Sequence, residues 1–131
     1  MNPKQFLQFG GAILVLVGVL GFAGVIGPTA EDSLFGSTWW FDNAENWAHL
    51  VLGVAALAAA FVLPSQFQRP LVMAVGALAL LVAVWNIFST TLLGANLESP
   101  ADLILHLAVG IWALLSCRKS GEMASQPPVS A

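Results

Sequence analysis

Residues 45–53 read ENWAHLVLG and residues 102–110 read DLILHLAVG, so one short pattern occurs twice in the chain. Each copy has an acidic residue, then His-Leu after three residues, then glycine after two more. The two copies contain the only two histidines of the protein, and each opens a long apolar run. Because ionisable residues inside a membrane are costly, a matched pair of them indicates a repeated structure with a polar site at corresponding places.

The composition indicates a membrane protein. Of the 131 residues, 58% are hydrophobic and only 8% are charged. Charged residues make up about 25% of an ordinary soluble domain, and a soluble domain of this size could not cover so much apolar surface. The net charge of −3 gives no basic patch for nucleic acid. The single cysteine, Cys117, excludes an internal disulfide and a paired-cysteine metal motif.

Four apolar runs, each near the ~20 residues that a helix needs to cross a bilayer, decide the fold class. They predict an all-α integral membrane protein with four transmembrane helices, at about residues 6–26, 44–63, 71–89 and 100–117. We expect these helices to form two tandem hairpins related as a parallel repeat. The predicted membrane domain covers residues 1–120, and the Ser/Pro-rich residues 121–131 are predicted to be a disordered cytoplasmic tail.

The charges predict the orientation in the membrane. All four basic residues, Lys4, Arg69, Arg118 and Lys119, belong to segments on one side of a four-span chain, and most acidic residues belong to the other side. The positive-inside rule then places both termini in the cytoplasm. The first run is too long for a cleaved signal peptide, so we expect it to remain as an anchor.

The acidic residue of each copy has an ordinary interpretation as a helix cap. Asp42 with Glu45, and Ser99 with Asp102, have the spacing of a capping box at a helix start. A carboxylate there also complements the positive end of the helix dipole. On this interpretation, Glu45→Gln and Asp102→Asn should each cost about 1 kcal/mol or less.

Helical spacing places the repeated residues on one face of each helix: Glu45, His49 and Gly53, then Asp102, His106 and Gly110. Gly53 and Gly110 are predicted to pack closely against other helices, because small residues let helices approach in lipid. We expect the small-residue faces of all four helices to meet at the centre of the bundle. Helices two and four would be parallel neighbours, with both histidines at one depth and Asn86 as a polar partner.

The histidines allow four interpretations. In the first, His49 and His106 are neutral and hydrogen-bonded, and they hold the hairpins together. In the second, they bind a divalent metal ion together with Glu45 and Asp102. In the third, the two imidazoles ligate a b-type haem, with room left by the neighbouring glycines. In the fourth, the acid–histidine pairs form a path for protons or substrate. The sequence indicates no catalytic nucleophile.

These motifs resemble a bacterial membrane family catalogued only as domain of unknown function 4383. Its members have two tandem helix hairpins, and each second helix begins with Asn or Asp, then His-Leu and a glycine one turn later. Residues 46–53 match that pattern, residues 34–36 (LFG) resemble the segment before it, and residues 92–94 (LLG) with 102–110 match the second half.

The resemblance covers about residues 6–115, and it departs from the family pattern at Leu103, where the second copy lacks the polar residue. It implies the fold and a bacterial inner membrane, and it implies no activity. We therefore expect a non-enzymatic protein with a structural or accessory role. Its partners would be the lipid bilayer and either further copies of itself or a larger membrane complex. The alternative is a metal- or haem-binding protein that uses the paired histidines.

Overall fold

The computed structural model describes residues 1–124, with side chains described as far as Arg118, and contains four long helices. The elements in chain order are α1 (Pro3–Phe22), a 3-10 turn (Gly36–Thr38), α2 (Asn43–Val62), α3 (Ser65–Phe88), β1 (Thr91–Leu92), β2 (Ala95–Asn96) and α4 (Ala101–Ala124). Each helix is long and apolar enough to cross a membrane. The predicted all-helical class with four candidate membrane spans is therefore confirmed.

The first hairpin begins earlier than the sequence predicts. Asn2 and Gln5 form a capping box, and Pro3 takes the first helical position, so α1 starts at residue 3 rather than 6. The helix ends at Phe22, and residues 23–26 turn away from it rather than extend it. The Ile26 carbonyl then accepts a hydrogen bond from the Phe41 amide at 2.8 Å, which ties the two ends of the long connection together.

The connection between α2 and α3 is only Leu63 and Pro64, because α3 starts at Ser65 rather than after Pro70. The buried Gln68 amide donates to the carbonyls of Ala60 (3.3 Å) and Leu63 (2.9 Å). These bonds satisfy backbone groups at the end of α2, which a helix otherwise leaves unpaired. The prediction was wrong because Pro70 suggested a helix start, whereas the structure has it inside the helix.

The last helix continues past its predicted end at residue 117. The backbone of α4 is helical as far as Ala124, so residues 121–124 do not belong to the disordered tail that the sequence predicts. The rest of that predicted tail, residues 125–131, lies outside the described residues.

Close glycine contacts hold each hairpin together. A Cβ atom on Gly53 would lie 2.8 Å from the Gly11 carbonyl oxygen and 2.7 Å from the Val15 nitrogen. A Cβ atom on Gly76 would lie 3.3 Å from the Gly110 carbonyl oxygen. The predicted packing role of Gly53 and Gly110 is thus seen, but the glycine faces meet in pairs within each antiparallel hairpin rather than at one common centre.

The two hairpins join mainly through α1. It packs on α2 along its length and also contacts α3 and α4, whereas within the described residues α2 and α4 make little contact. The expectation that α2 and α4 are neighbours is therefore wrong. We call the end that contains the N-terminus and the α2–α3 connection the turn end. A core cluster there draws on all four helices: Phe6, Leu7, Ala60, Val72, Ala113 and Cys117.

The opposite end, which we call the loop end, contains the connections 23–42 and 89–100. In the second of these, β1 and β2 pair antiparallel, with Thr91 opposite Asn96 and Leu92 opposite Ala95. Leu93 and Gly94 form the two-residue turn between them, with φ values of 52° and 87°. Positive φ at both turn positions is the geometry that matches the twist of a tight hairpin.

Candidate functional site

The start of α2 has the predicted capping box. One carboxylate oxygen of Asp42 accepts from the Glu45 amide at 2.9 Å, and the Glu45 carboxylate accepts from the Asp42 amide at 3.2 Å. The two side chains thereby satisfy backbone donors that the first turn of a helix leaves free. This part of the capping interpretation is confirmed.

The start of α4 is built differently from the prediction. Asp102 accepts from the Glu98 amide at 2.6 Å, rather than from the Ser99 amide that a capping box would use. Its other carboxylate oxygen accepts from the indole nitrogen of Trp39 at 3.0 Å. Asp102 is only 1% exposed, and both of these bonds are partly buried. The Asp102 carboxylate therefore joins the first long connection to the second hairpin, whereas a helix cap would bond only to the start of its own helix.

In a second hydrogen bond between the hairpins, the first hairpin provides the acceptor and the second provides the donor. The backbone amide of Asn96, in β2, donates to Asp42 at 2.7 Å. Each hairpin therefore supplies one aspartate that accepts a hydrogen bond from the long connection of the other. We call this set of residues, Trp39, Asp42, Asn96 and Asp102, the loop clasp. It brings together residues that lie 54 and 63 positions apart in the sequence.

Glu45 differs from the two clasp aspartates. It is 3% exposed, and only one of its carboxylate oxygens is bonded; Oε1 has no hydrogen-bond partner in the part of the chain that the structure describes. Of the two predicted acidic residues, only Asp102 has both carboxylate oxygens bonded within the described part of the chain.

The two histidines make different contacts. The His106 ring bonds through Nδ1 to the Asp102 carbonyl at 2.7 Å. A carbonyl oxygen only accepts, so Nδ1 carries the proton, and in the neutral ring Nε2 is then an acceptor. Nδ1 of His49 has no partner among residues 1–118, and its ring lies 4.9 Å from the Phe41 ring at an interplanar angle of 30°. Both side chains are half-buried.

Asn86 does not serve as the predicted histidine partner. Its amide donates to the carbonyls of Ser89 and Leu97, both at 3.3 Å, which uses both of its protons. It thereby ties the second long connection to α3.

Asn46 ties the first long connection to α2, as Asn86 ties the second to α3. The sequence pattern does not predict Asn46 as a site residue. It is fully buried against Gly21, and its amide donates to the Phe41 carbonyl at 3.5 Å. The amide oxygen occupies the space where a Cβ atom of residue 21 would be, so it lies against the Gly21 Cα–H group. The sequence signal that could have found it is an asparagine near the start of α2, opposite a glycine, Gly21, near the end of the antiparallel helix α1.

The proposed ligand sets fit the geometry poorly. Among residues 1–118, no group of three or more His, Cys, Asp or Glu side chains is arranged to hold a metal ion. The haem interpretation needs open space beside Gly53 and Gly110. That space is filled, because Gly53 packs on the backbone of α1 and Gly110 packs on Leu80 and the Gly76 carbonyl.

Comparison of the chain with models of known protein families, with curated proteins and with solved structures gives no match.

Proposed function

We propose that this chain is a small, non-enzymatic integral membrane protein with a structural or accessory role. The loop clasp is the observation that carries this proposal. Asp42 and Asp102 each use both carboxylate oxygens on hydrogen bonds that hold loops and hairpins together. Groups engaged in this way are not free to take part in a reaction. A rigid pair of clasped hairpins suits a protein that supports itself or its neighbours in a bilayer.

The proposed location is a bacterial inner membrane, with both termini in the cytoplasm and the loop end outside. The distribution of charge supports it. Lys4, Arg69 and Arg118 belong to helix segments at the turn end, whereas the acidic clasp residues belong to the loop end. Basic residues on one side are the strongest orientation signal in a multi-pass protein.

Cysteine labelling tests this orientation. In a Cys117→Ala background, a cysteine at the exposed Ser37 should react with a membrane-impermeant maleimide in intact cells. A cysteine at the exposed Ser65, at the turn end, is the matched control and should react only after lysis. The reverse pattern, or equal labelling of both positions, would contradict the proposed orientation.

We also propose that the hairpins are a tandem repeat, as in the family of domain of unknown function 4383 that the chain resembles. The support is that Gly11 with Gly53, and Gly76 with Gly110, form equivalent close contacts in the two hairpins. A further copy of the chain or a larger membrane complex is its proposed protein partner.

A second candidate function, metal or haem binding, has one observation in its favour. The bond from His106 Nδ1 to a backbone carbonyl leaves Nε2 as an acceptor, and this is the usual arrangement of a metal-binding histidine. Nδ1 of His49 and Oε1 of Glu45, which have no hydrogen-bond partner among the described residues, would be further candidate ligand atoms.

Substitution of the histidines separates the two functions. On the structural proposal, His106→Gln should lower the free energy of unfolding in detergent by about 0.5–1.5 kcal/mol, because the bond within α4 from Nδ1 to the Asp102 carbonyl is lost. His49→Gln should cost less, since Nδ1 of His49 makes no hydrogen bond within the described part of the chain.

The absorption spectrum and the metal content of the purified protein distinguish the structural role from metal or haem binding. Wild type and both variants should be alike, with no Soret band and no stoichiometric metal. Stoichiometric metal, or a Soret band that disappears with either histidine, would overturn the structural proposal in favour of the second candidate.

A further inference from the structure

A cavity of about 210 Å³ lies between the two hairpins, and all four helices line it. The lining is almost entirely apolar and includes Phe6, Leu14, Ala55, Leu71 and Trp112. Several lining side chains are also exposed, so the cavity opens to the surface of the bundle. A cavity of roughly 150 Å³ with such a lining stays dry and binds apolar molecules.

The cavity extends from the turn end towards the middle of the bundle. On α1 its lining runs from Phe6 to Leu14, which is about 12 Å of helix at ~1.5 Å per residue. On α3 it starts at Leu71 and reaches Leu78. Its long dimension therefore follows the helices, as a hydrocarbon chain in a bilayer does.

Three basic residues lie at the turn end of the helices that line this cavity. Lys4 precedes the lining of α1 by two residues, and Arg69 precedes the lining of α3 by two residues. Arg118 follows Cys117, whose thiol donates to the Arg69 carbonyl at 3.6 Å. All three basic side chains are exposed. Positive charge therefore lies at the end of the bundle from which the apolar cavity extends.

We propose that this cavity binds one acyl chain of an anionic phospholipid, whose headgroup lies against Lys4, Arg69 and Arg118. Basic residues between helices at the cytoplasmic face attract anionic headgroups, and the apolar lining excludes water and polar ligands. An acyl chain in this open cavity would make dispersion contacts with the lining side chains, so occupation by lipid would stabilise the bundle. The proposal rests on the proposed function, because it requires these helices to cross a bilayer.

The test uses the full chain purified in mild detergent, with retained phospholipids quantified by mass spectrometry. Ala55→Phe places a bulky ring in the cavity, and Ala58→Phe is the matched control, since Ala58 is exposed on the same helix outside the lining. Lys4→Gln and Arg69→Gln remove headgroup attraction, and Glu31→Gln is the control for a change of charge at the loop end. Added phosphatidylglycerol is compared with phosphatidylcholine by the shift in thermal stability.

We expect wild type to retain phosphatidylglycerol in preference to phosphatidylcholine and to be stabilised by it. Ala55→Phe should lose the retained lipid, and each basic substitution should lower the preference about fivefold, the effect of one Lys or Arg near an anionic surface. Ala58→Phe and Glu31→Gln should behave as wild type. If Ala55→Phe does not fold, the two basic substitutions still test the headgroup preference.

Three results would overturn the proposal. The first is equal retention of both lipids, and the second is a preference unchanged by the basic substitutions. The third is a dimer that Ala55→Phe disrupts without any loss of lipid, which would make a second copy of the chain the occupant. Extraction of membranes at high pH tests the proposed function separately. A chain in the soluble fraction would refute membrane insertion itself, whereas an inserted chain without selective lipid would refute only the lipid site.

Discussion

Gly53→Leu should lower the free energy of unfolding in detergent by about 3 kcal/mol or more, at the upper end of what overpacking costs. Gly53 has backbone atoms of α1 directly against it, because a Cβ atom would lie 2.7 Å from the Val15 nitrogen and 2.8 Å from the Gly11 oxygen. Backbone cannot move aside as a side chain can, so α1 and α2 would separate. Denaturant unfolding followed by helical circular dichroism measures the loss.

Gly110→Leu is the informative companion to this variant. A Cβ atom there would lie 2.6 Å from the Leu80 side chain, which can change rotamer, and 3.1 Å from the Gly76 oxygen. We therefore expect a smaller loss, about 1–2 kcal/mol. Val51→Leu, at an exposed position of α2, is the control and should be close to wild type. Equal stability of Gly53→Leu and Val51→Leu would show that this glycine is not at a packed interface.

Asp102→Asn should cost about 2–4 kcal/mol, the effect of breaking a buried charged hydrogen bond and leaving a donor unpaired. The asparagine oxygen can still accept from Trp39. Its NH2 group then faces the Glu98 amide, so two hydrogen-bond donors point at each other. Glu45→Gln, by contrast, should change stability by less than about 1 kcal/mol. It keeps an oxygen for the Asp42 amide, and Oε1 has no partner to lose in the described structure.

The capping interpretation predicts a mild effect for both carboxylates, and the structure changes that expectation only for Asp102. Trp39→Phe provides the cross-check, because it removes the same indole bond from the other side. The double variant Trp39→Phe/Asp102→Asn should cost clearly less than the sum of the single variants, as expected for residues in direct contact. Additive losses, or equal losses for Asp102→Asn and Glu45→Gln, would refute the loop clasp as a stabilising unit.

Features that depend on neighbours along the chain were predictable. The capping box of Asp42 and Glu45, the four apolar helices and the packing role of Gly53 all follow from local spacing and composition. Helix ends were less accurate. Pro70 predicts the start of α3, but α3 begins at Ser65, and its buried Gln68 donates to the Leu63 carbonyl at the end of α2.

The contacts of the candidate site could not be predicted in the same way. Trp39 and Asp102 are 63 residues apart, and nothing in either segment indicates the other. The pattern placed Asn86 near the histidines by depth alone, but which carbonyl it reaches depends on how the second long connection folds back. The likeness of the two copies also concealed their differences, since only one histidine has its Nδ1 bonded within the described residues.

The two buried asparagines make the two hairpins different from each other. In the first hairpin the amide comes from the second helix, at Asn46, and faces Gly21, whereas in the second hairpin it comes from the first helix, at Asn86. Each hairpin therefore retains one amide, on opposite members of its helix pair. A chain assembled from two copies of the first hairpin would keep the glycine contacts and lose the tether that Asn86 supplies. The two long connections are thus tied down by amides from different helices, so one half of the chain would not reproduce the anchoring of the other.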